Sequence, residues 1–207
     1  GPCFFCPELL DRERTLYAVV GRGPVPRHGF VGRGLVPRRA VKPSWTIKVV
    51  SNKFPAVTLD NPKAYGAQEI VIETPDHAKQ LEDLSAPHIA ELLRVYAERT
   101  RALSRNRKLE YILIFKNRGG AAGANLKHTH SQIFATEFLP PHLIDKSRKA
   151  NDYKVKTGRC VFCDVIKQEA KGPRRIANDG LTVSFAPYAS MYNYEAWILP
   201  RRHLDNI

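Results

Sequence analysis

The sequence predicts an α+β fold of two tandem units, each an antiparallel sheet with helices packed on it, the second unit being incomplete. Three observations predict this fold. Short apolar segments alternate like strands, one long segment has the apolar period of a helix, and one pattern of cysteines, strands, proline and histidine occurs twice. We place the first unit at residues 1–145 and the second at residues 146–207.

The composition indicates a folded protein with an anionic partner. Of the 207 residues, 43% are hydrophobic and 26% charged, which is enough for one large core or two modest ones. The formal net charge of +13 favours a nucleotide, a sugar phosphate, a nucleic acid or a membrane surface as partner. No apolar run has the length of a transmembrane helix and the first residues do not look like a signal segment, so we expect a cytoplasmic protein without a membrane partner.

The elements of the first unit follow in order. Segments 45–50 (WTIKVV) and 68–73 (QEIVIE) alternate like strands. A helix is predicted behind the N-cap Ser85, with an apolar face made of Ile89, Leu92, Leu93, Tyr96, Thr100 and Leu103. Segment 111–117 (YILIFKN) is apolar on both faces, as a strand inside a sheet is, and a Gly-rich loop joins it to the strand at 127–134 (KHTHSQIF).

The segment from Thr15 to Leu59 contains no acidic residue, and Gly and Pro recur between its basic residues. We interpret it, outside segment 45–50, as a basic loop rather than a regular element. It is either a solvated connection or an arm whose arginines contact phosphates.

The internal repeat underlies the two units. Residues 3–6 (CFFC) and 160–163 (CVFC) each begin a series of strand, Pro-containing turn, strand, proline and histidine, which ends at His77 in the first unit and at His203 in the second. By this symmetry, the second unit lacks counterparts of the helix and last strands of the first.

The cysteine pairs favour metal binding. Their two-residue spacing suits one metal ion or one redox disulfide, and neither pair shows the helix start after a strand that a redox motif needs. Zinc takes four nitrogen or sulfur ligands in a tetrahedron. The first candidate set is Cys3, Cys6, His77 and one histidine of KHTHSQIF, and the corresponding second set is Cys160, Cys163 and His203.

The strand carrying KHTHSQIF has a polar face. Because side chains alternate along a strand, His128, His130 and Gln132 project together while Thr129 and Ser131 point away. A histidine not used by metal, with its Nδ1–H held by a backbone carbonyl, has an Nε2 lone pair that can attack phosphorus. A glutamine can donate its amide to a phosphoryl oxygen, but it cannot move a proton.

Several motifs together carry a family resemblance. They are the two CxFC segments, 49–56 (VVSNKFPA), 73–77 (ETPDH), 115–133 (FKNRGGAAGANLKHTHSQI) and 197–203 (WILPRRH). In this order they resemble the galactose-1-phosphate uridylyltransferase family, the transferase branch of the histidine-triad superfamily. The resemblance implies tandem histidine-triad-like units, a homodimer with shared active sites, and a ping-pong reaction. In that reaction a histidine takes a nucleoside monophosphate from a nucleotide sugar and passes it to a sugar phosphate.

The resemblance also implies residue roles. His130 is the expected nucleophile and Gln132 the expected contact to the phosphoryl oxygens. The implied structural zinc ligands are Cys3, Cys6, His77 and His128, with Cys160, Cys163 and His203 at a second site as in members with two zincs. The implied substrate contacts are Asn52, Asn117, Gly123, Asn125 and Gln132. Asn125 and Lys53 differ from the residues usual in the family, which leaves the acceptor and the base open.

Three alternatives stay beside this assignment. An ADP-glucose phosphorylase-like enzyme, or a related adenylyl or dinucleotide phosphorylase, would use His130 identically. A histidine-triad hydrolase is disfavoured because a third histidine typically stands in that class where Gln132 stands here. A zinc-containing nucleic-acid-binding module would explain the charge and the cysteines, but it leaves the HxHxQ strand unexplained and lacks clustered aromatic residues, so nucleic acid is an unlikely partner.

Overall fold

The computed structural model describes residues 3–10, 15–20, 45–124 and 126–203. The chain divides into two compact units, Gly1–Phe138 and Leu139–Ile207. None of the helices in these ranges is both long and apolar enough to cross a membrane.

The first unit is built on a five-stranded antiparallel sheet. Its strands are β1 (Thr15–Val20), β2 (Trp45–Ser51), β3 (Gly66–Ile72), β4 (Tyr111–Phe115) and β5 (His130–Thr136). A one-turn helix, α1 (Pro7–Leu10), precedes β1, and α2 (Ala86–Ser104) lies between β3 and β4. The strand order is β1-β2-β3-β5-β4, so β5 is inserted between β3 and β4 and has a partner on each side.

The sheet buries apolar side chains on both faces. On one face Ile47, Val71 and Ile133 pack with Leu92 and Val95 of α2. On the opposite face Phe5 and Leu10 of the N-terminal segment pack against Trp45, Val50, Ile70 and Ile72 of the sheet. Since β5 is covered by α2 on one side only, its alternate residues meet two different environments.

Helix α2 begins as predicted, but its buried face differs from the predicted one. The Ser85 hydroxyl accepts a hydrogen bond from the backbone N–H of His88 at 3.4 Å. Leu92 and Val95 are buried, whereas Leu93, predicted on the core face, is 54% exposed. At 100° per residue, positions 92, 95 and 96 share one stripe and position 93 falls beside it, so the inclusion of Leu93 was wrong.

The segment predicted as a basic loop contains a strand. Residues 15–20 (TLYAVV) form β1, which pairs antiparallel with β2, so the prediction of a loop from Thr15 was wrong there. Its β-branched and aromatic residues favour a strand, and β2 offers it an open edge. The arginines expected to contact phosphates lie at 21–44, outside the described residues.

The second unit repeats the element order of the first. It contains α3 (Pro141–Thr157), α4 (Val161–Glu169) and the strands β6 (Arg175–Asn178), β7 (Thr182–Phe185) and β8 (Trp197–Pro200). The strands form an antiparallel sheet in the order β6-β7-β8. In both units a helix that begins beside or within a cysteine pair is followed by three antiparallel strands. The boundary expected at residue 145 falls inside α3, which belongs to the second unit.

Gly66 permits the close approach of β3 to β5. A Cβ atom there would lie 2.3 Å from the backbone oxygen of Ala135 and 2.7 Å from Cγ2 of Val57. Because a backbone oxygen cannot rotate away, we expect Gly66→Ala to lower the free energy of unfolding of the full-length protein by about 2 kcal/mol. Urea denaturation measures this. Gly120→Ala is the control, since nothing lies within 4 Å of its Cβ; equal stability of the two variants would contradict the prediction.

Candidate active site and metal clusters

Strand β5 places His130 and Gln132 on one face of the sheet. His130 pairs with Ile72 of β3, and Gln132 pairs with Ile70 of β3. The side chains of His130 and Gln132 are half-buried. Ser131 and Ile133 alternate with them and are buried on the α2 side. This is the alternation that the sequence predicts, and it leaves two polar groups open on the face opposite α2.

The His130 ring is held in one orientation. Its Nδ1 lies 2.8 Å from the backbone oxygen of His128, which can only accept a hydrogen bond. Nδ1 therefore carries the hydrogen and Nε2 carries the lone pair. The ring of Phe5 contacts it edge-on, with centroids 5.0 Å apart. The geometry is that of an imidazole prepared to act as a nucleophile or base through Nε2.

His128 lies just before β5, fully buried in the first cluster of candidate metal ligands. Its Nδ1 is 3.7 Å from Sγ of Cys3 and 3.8 Å from Sγ of Cys6, and His77 Nδ1 is 3.5 Å from Sγ of Cys6. A tetrahedral zinc ion with bonds of about 2.0 to 2.3 Å has ligand atoms about 3.3 to 3.8 Å apart. These three distances fall in or near that range, and all four donor atoms lie within 4.8 Å of one another, so the cluster is close enough to hold one metal ion.

Hydrogen bonding and burial prepare His128 as a ligand. Its Nε2 lies 2.7 Å from the backbone oxygen of Thr74, so Nε2 carries the hydrogen and the Nδ1 lone pair faces the cysteines. Burial lowers the pKa of His128, which keeps the ring neutral as ligation requires. Burial, with the neighbouring Cys3 thiol, raises the pKa of Cys6 to about 11. A bound cation would stabilise the Cys6 thiolate that this pair otherwise disfavours.

The second cluster brings together Cys160, Cys163 and His203, all three within the second unit. Sγ of Cys163 lies 2.8 Å from Nε2 of His203. Cys160 is the N-cap of α4, a helix start that the sequence did not predict. A hydrogen bond from the backbone N–H of Cys163 lowers the pKa of the Cys160 thiol. Since a helix and not a strand precedes it, the redox setting is still not met. This set can supply three ligands to a metal ion.

A buried carboxylate behind β5 was missed by the sequence analysis. Glu73 is fully buried and accepts hydrogen bonds from Lys116 Nζ at 2.8 Å, from Thr129 Oγ1 at 2.5 Å and from Ser131 Oγ. The hydroxyl of Tyr96 on α2 forms a hydrogen bond of 2.5 Å with the hydroxyl of Ser131. Thr129, just before β5, and Ser131 on β5 therefore fix this strand to α2 and to Glu73, the residue directly after β3.

Lys116 extends this network to the backbone of His130. Its Nζ donates to Thr129 Oγ1 at 2.6 Å and to the backbone oxygen of His130 at 3.2 Å. The only available hint in the sequence was that two hydroxyl residues on the α2 side of a buried strand need polar partners. Nothing in the spacing of Glu73 or Lys116 identified them as those partners.

A cleft of about 470 Å³ opens beside His128 and His130. The Gly-rich loop forms one wall: Asn117, Gly119 and Gly120 line it, with the basic side chains of Lys116, Arg118 and Lys127. Backbone N–H groups of such a loop suit phosphate oxygens, as does the cation of Lys127, while Lys116 and Arg118 are paired with Glu73 and Glu82.

The structure describes two further predicted substrate contacts, Gly123 and Asn52. Gly123 has φ +80°, and a Cβ there would lie 3.8 Å from Nδ2 of Asn117, so these two positions are close together. Asn52 follows β2, and its backbone N–H donates to the backbone oxygen of Gln68 at 2.9 Å. Asn125 lies outside the described residues.

Comparisons with known proteins agree with the fold and the motifs. A family model described as the N-terminal domain of galactose-1-phosphate uridyl transferase matches residues 43–140. The ADP-glucose phosphorylase of Arabidopsis thaliana is 32% identical, with 96% of this chain and 55% of that protein aligned. The galactose-1-phosphate uridylyltransferase of Thermotoga maritima is 29% identical, over 75% of this chain and 53% of that protein.

A solved structure extends the similarity. The crystal structure of an ADP-glucose phosphorylase from Arabidopsis thaliana with bound ADP-glucose has a TM-score of 0.80 at 28% identity, over 99% of this chain and 60% of that chain. The chain spans about half the length of the curated relatives it matches, with 55% and 53% of the two named proteins covered.

The buried network predicts a large loss of stability when its cation is removed. Lys116→Met leaves the Glu73 carboxylate buried without its ion-pair partner, so we expect the free energy of unfolding of the full-length protein to fall by about 3 to 5 kcal/mol. Arg94→Met is the matched control, since it removes an exposed ion pair with Glu91 and should cost less than about 1 kcal/mol. Urea denaturation compares the two; similar losses would contradict the buried network.

The first cluster predicts metal dependence at one histidine and not at its neighbour. We expect His128→Ala to lower the tightly bound metal of the purified full-length protein by one equivalent per chain, because one of four ligands is lost. His130→Ala is the control, since its ring bonds to a carbonyl and lies outside the cluster. Plasma mass spectrometry measures the metal. Full metal content in His128→Ala would exclude this ligand set.

Proposed function

We propose, because the chain belongs to the galactose-1-phosphate uridylyltransferase family, that it carries the nucleophile of a nucleotidyltransferase acting on a nucleotide sugar and a sugar phosphate. One observation carries this proposal. His130 keeps its hydrogen on Nδ1 against the carbonyl of His128, so that Nε2 is available, and the amide of Gln132 stands two residues along the same face.

In the first half-reaction, Nε2 of His130 attacks the α-phosphorus of the nucleotide sugar. A nitrogen–phosphorus bond forms and the bond from that phosphorus to the bridging oxygen breaks, so the sugar 1-phosphate leaves with the electron pair. Such a phosphate monoester has a second pKa of about 6 and needs no proton on departure. The Nδ1–H bond to the His128 carbonyl supports the positive charge on the nucleotidylated ring.

In the second half-reaction, a phosphate oxygen of the acceptor attacks the same phosphorus. The new oxygen–phosphorus bond forms as the nitrogen–phosphorus bond breaks, and His130 regains its lone pair. Gln132 is the proposed donor to the phosphoryl oxygens in both steps. The proposed further contacts are Asn52, Asn117, Gly123 and Asn125.

Zinc is the metal we propose for the first cluster. Cys3, Cys6, His77 and His128 would hold it, and two thiolates with two imidazoles are the donors that zinc prefers. The four ligands leave no open position, so the ion would supply structure rather than chemistry, joining the N-terminal segment to the strand of His130. We propose a second zinc at Cys160, Cys163 and His203, and a homodimer of the kind the family resemblance implies.

A second candidate is a nucleotide-sugar phosphorylase, in which inorganic phosphate replaces the sugar phosphate as acceptor. The similarity to the Arabidopsis thaliana ADP-glucose phosphorylase, which extends over 96% of this chain, favours it. It would use His130 and Gln132 in the same way and differ in the base and the acceptor.

The test is covalent capture of the intermediate. We expect the full-length protein, incubated with UDP-glucose or ADP-glucose, to gain the mass of one nucleoside monophosphate by intact-protein mass spectrometry, and peptide mapping to place it on His130. His130→Ala should gain none, while His142→Ala, which changes an exposed histidine, should react as the parent does.

The acceptor then separates the two candidates. Discharge of the adduct by galactose 1-phosphate supports the transferase, and discharge by inorganic phosphate supports the phosphorylase. An adduct that persists in His130→Ala, or no adduct with either nucleotide sugar, would refute both.

A further inference from the structure

Gln132 has a partner that determines which way its amide faces. Its Oε1 accepts a hydrogen bond from Nε2 of Gln68 at 2.9 Å. Gln68 lies on β3 diagonally across from Gln132, since Ile70 is directly opposite Gln132 and Gln68 is directly opposite Phe134. Both glutamines therefore belong to the face of the sheet that carries His130.

The orientation of the pair is fixed from a backbone group. Oε1 of Gln68 accepts from the backbone N–H of Ala56 at 2.9 Å. A backbone N–H can only donate, so the oxygen of the Gln68 amide must face Ala56 and its NH₂ must face Gln132. By the same rule the oxygen of Gln132 faces Gln68 and its own NH₂ points away. In the described part of the chain, no group accepts a hydrogen bond from that NH₂.

We propose that Gln68 is the positioning residue for Gln132, holding the Gln132 NH₂ toward the phosphoryl oxygens at His130. The proposal rests on the proposed function, in which Gln132 donates to those oxygens. An unsupported amide has two orientations of similar shape, and the wrong one turns a carbonyl oxygen toward the phosphoryl oxygens, where it repels them. Gln68 removes that orientation before the substrate arrives.

The same residue connects the site to the loop after β2. The backbone oxygen of Gln68 accepts from the N–H of Asn52, and its side chain accepts from the N–H of Ala56. The loop between these residues is thus held at both ends by Gln68. Asn52 is one of the proposed substrate contacts, so one residue sets the position of that contact relative to Gln132.

Gln68→Glu tests the proposal with a near-isosteric change. The carboxylate still accepts from Ala56 but cannot donate to Gln132, so the Gln132 amide turns its NH₂ to the carboxylate and its oxygen to the phosphate. We expect nucleotidylation of the full-length protein, measured by rapid quench at saturating nucleotide sugar, to slow by about a hundredfold, as when a preorganised donor is lost. Gln168→Glu, the same change at an exposed position of α4, should react at the parent rate.

A double-mutant cycle separates positioning from a structural role. If Gln68 acts through Gln132, then Gln68→Glu combined with Gln132→Ala is no slower than Gln132→Ala alone, whereas a structural defect adds to the loss. Additive losses, or a parent rate in Gln68→Glu, would overturn the proposal. If Gln68→Glu lowers the melting temperature, Gln68→Met replaces it in the cycle, with an expected loss of about tenfold and the same non-additivity. A parent protein that forms no adduct would refute the proposed function instead.

Discussion

The hydrogen bond between His130 Nδ1 and the backbone oxygen of His128 is the interaction on which the site depends. It fixes the tautomer of the proposed nucleophile, and its acceptor belongs to a residue whose ring lies in the first cluster of candidate metal ligands. His128 uses Nδ1 toward the cysteines, Nε2 toward the Thr74 carbonyl and its own carbonyl toward His130. Anything that moves the cluster therefore moves the acceptor of the proposed nucleophile, so a metal ion bound there would influence chemistry that it does not itself perform.

The buried Glu73 carboxylate supplies the matching constraint from the other side of β5. A charge in that position is tolerated only if its lone pairs are satisfied. Its partners are Ser131 on β5, Thr129 just before β5 and Lys116 directly after β4. Thr129 and Ser131 are thus held on the α2 side, and the period of the strand then obliges the residues between and beyond them to face the site. Lys116 joins the two constraints because it also donates to the His130 carbonyl.

Local periodicity accounts for what the sequence could predict. The alternation of the HxHxQ motif, the strands at 45–50 and 68–73 and the Ser85 cap depend on neighbours a few residues away. The structure contains both strands, the cap and the alternation from His130 onward, whereas His128, predicted on the same strand, precedes β5. The clustering of Cys3 and Cys6 with two distant histidines was accessible because metal ligands are few in kind and recur in the internal repeat. These signals are short-range, or are carried by rare residue types.

Long-range pairing accounts for what the sequence could not. Glu73 and Lys116 are common residue types at unremarkable positions, and only the insertion of β5 between β3 and β4 brings them together. The strand β1 was not predicted because the charge and glycine content of a segment do not show which strand edge it can pair with. In the structure it pairs with the edge of β2. Leu93 was predicted in the core because it lies at the margin of the apolar stripe of α2. The sheet covers only the middle of that stripe, so Leu93 remains exposed.

The glutamine at the third position of the motif gives the site its chemical character. A histidine there could pass a proton to a departing alcohol, whereas Gln132, with its oxygen engaged by Gln68, has only N–H groups to offer. A site that donates hydrogen bonds but moves no proton is suited to leaving groups and acceptors that are already anionic. Phosphate monoesters and inorganic phosphate both meet that condition, which is why the transferase and the phosphorylase can share His130 and Gln132 and must be distinguished by their acceptors.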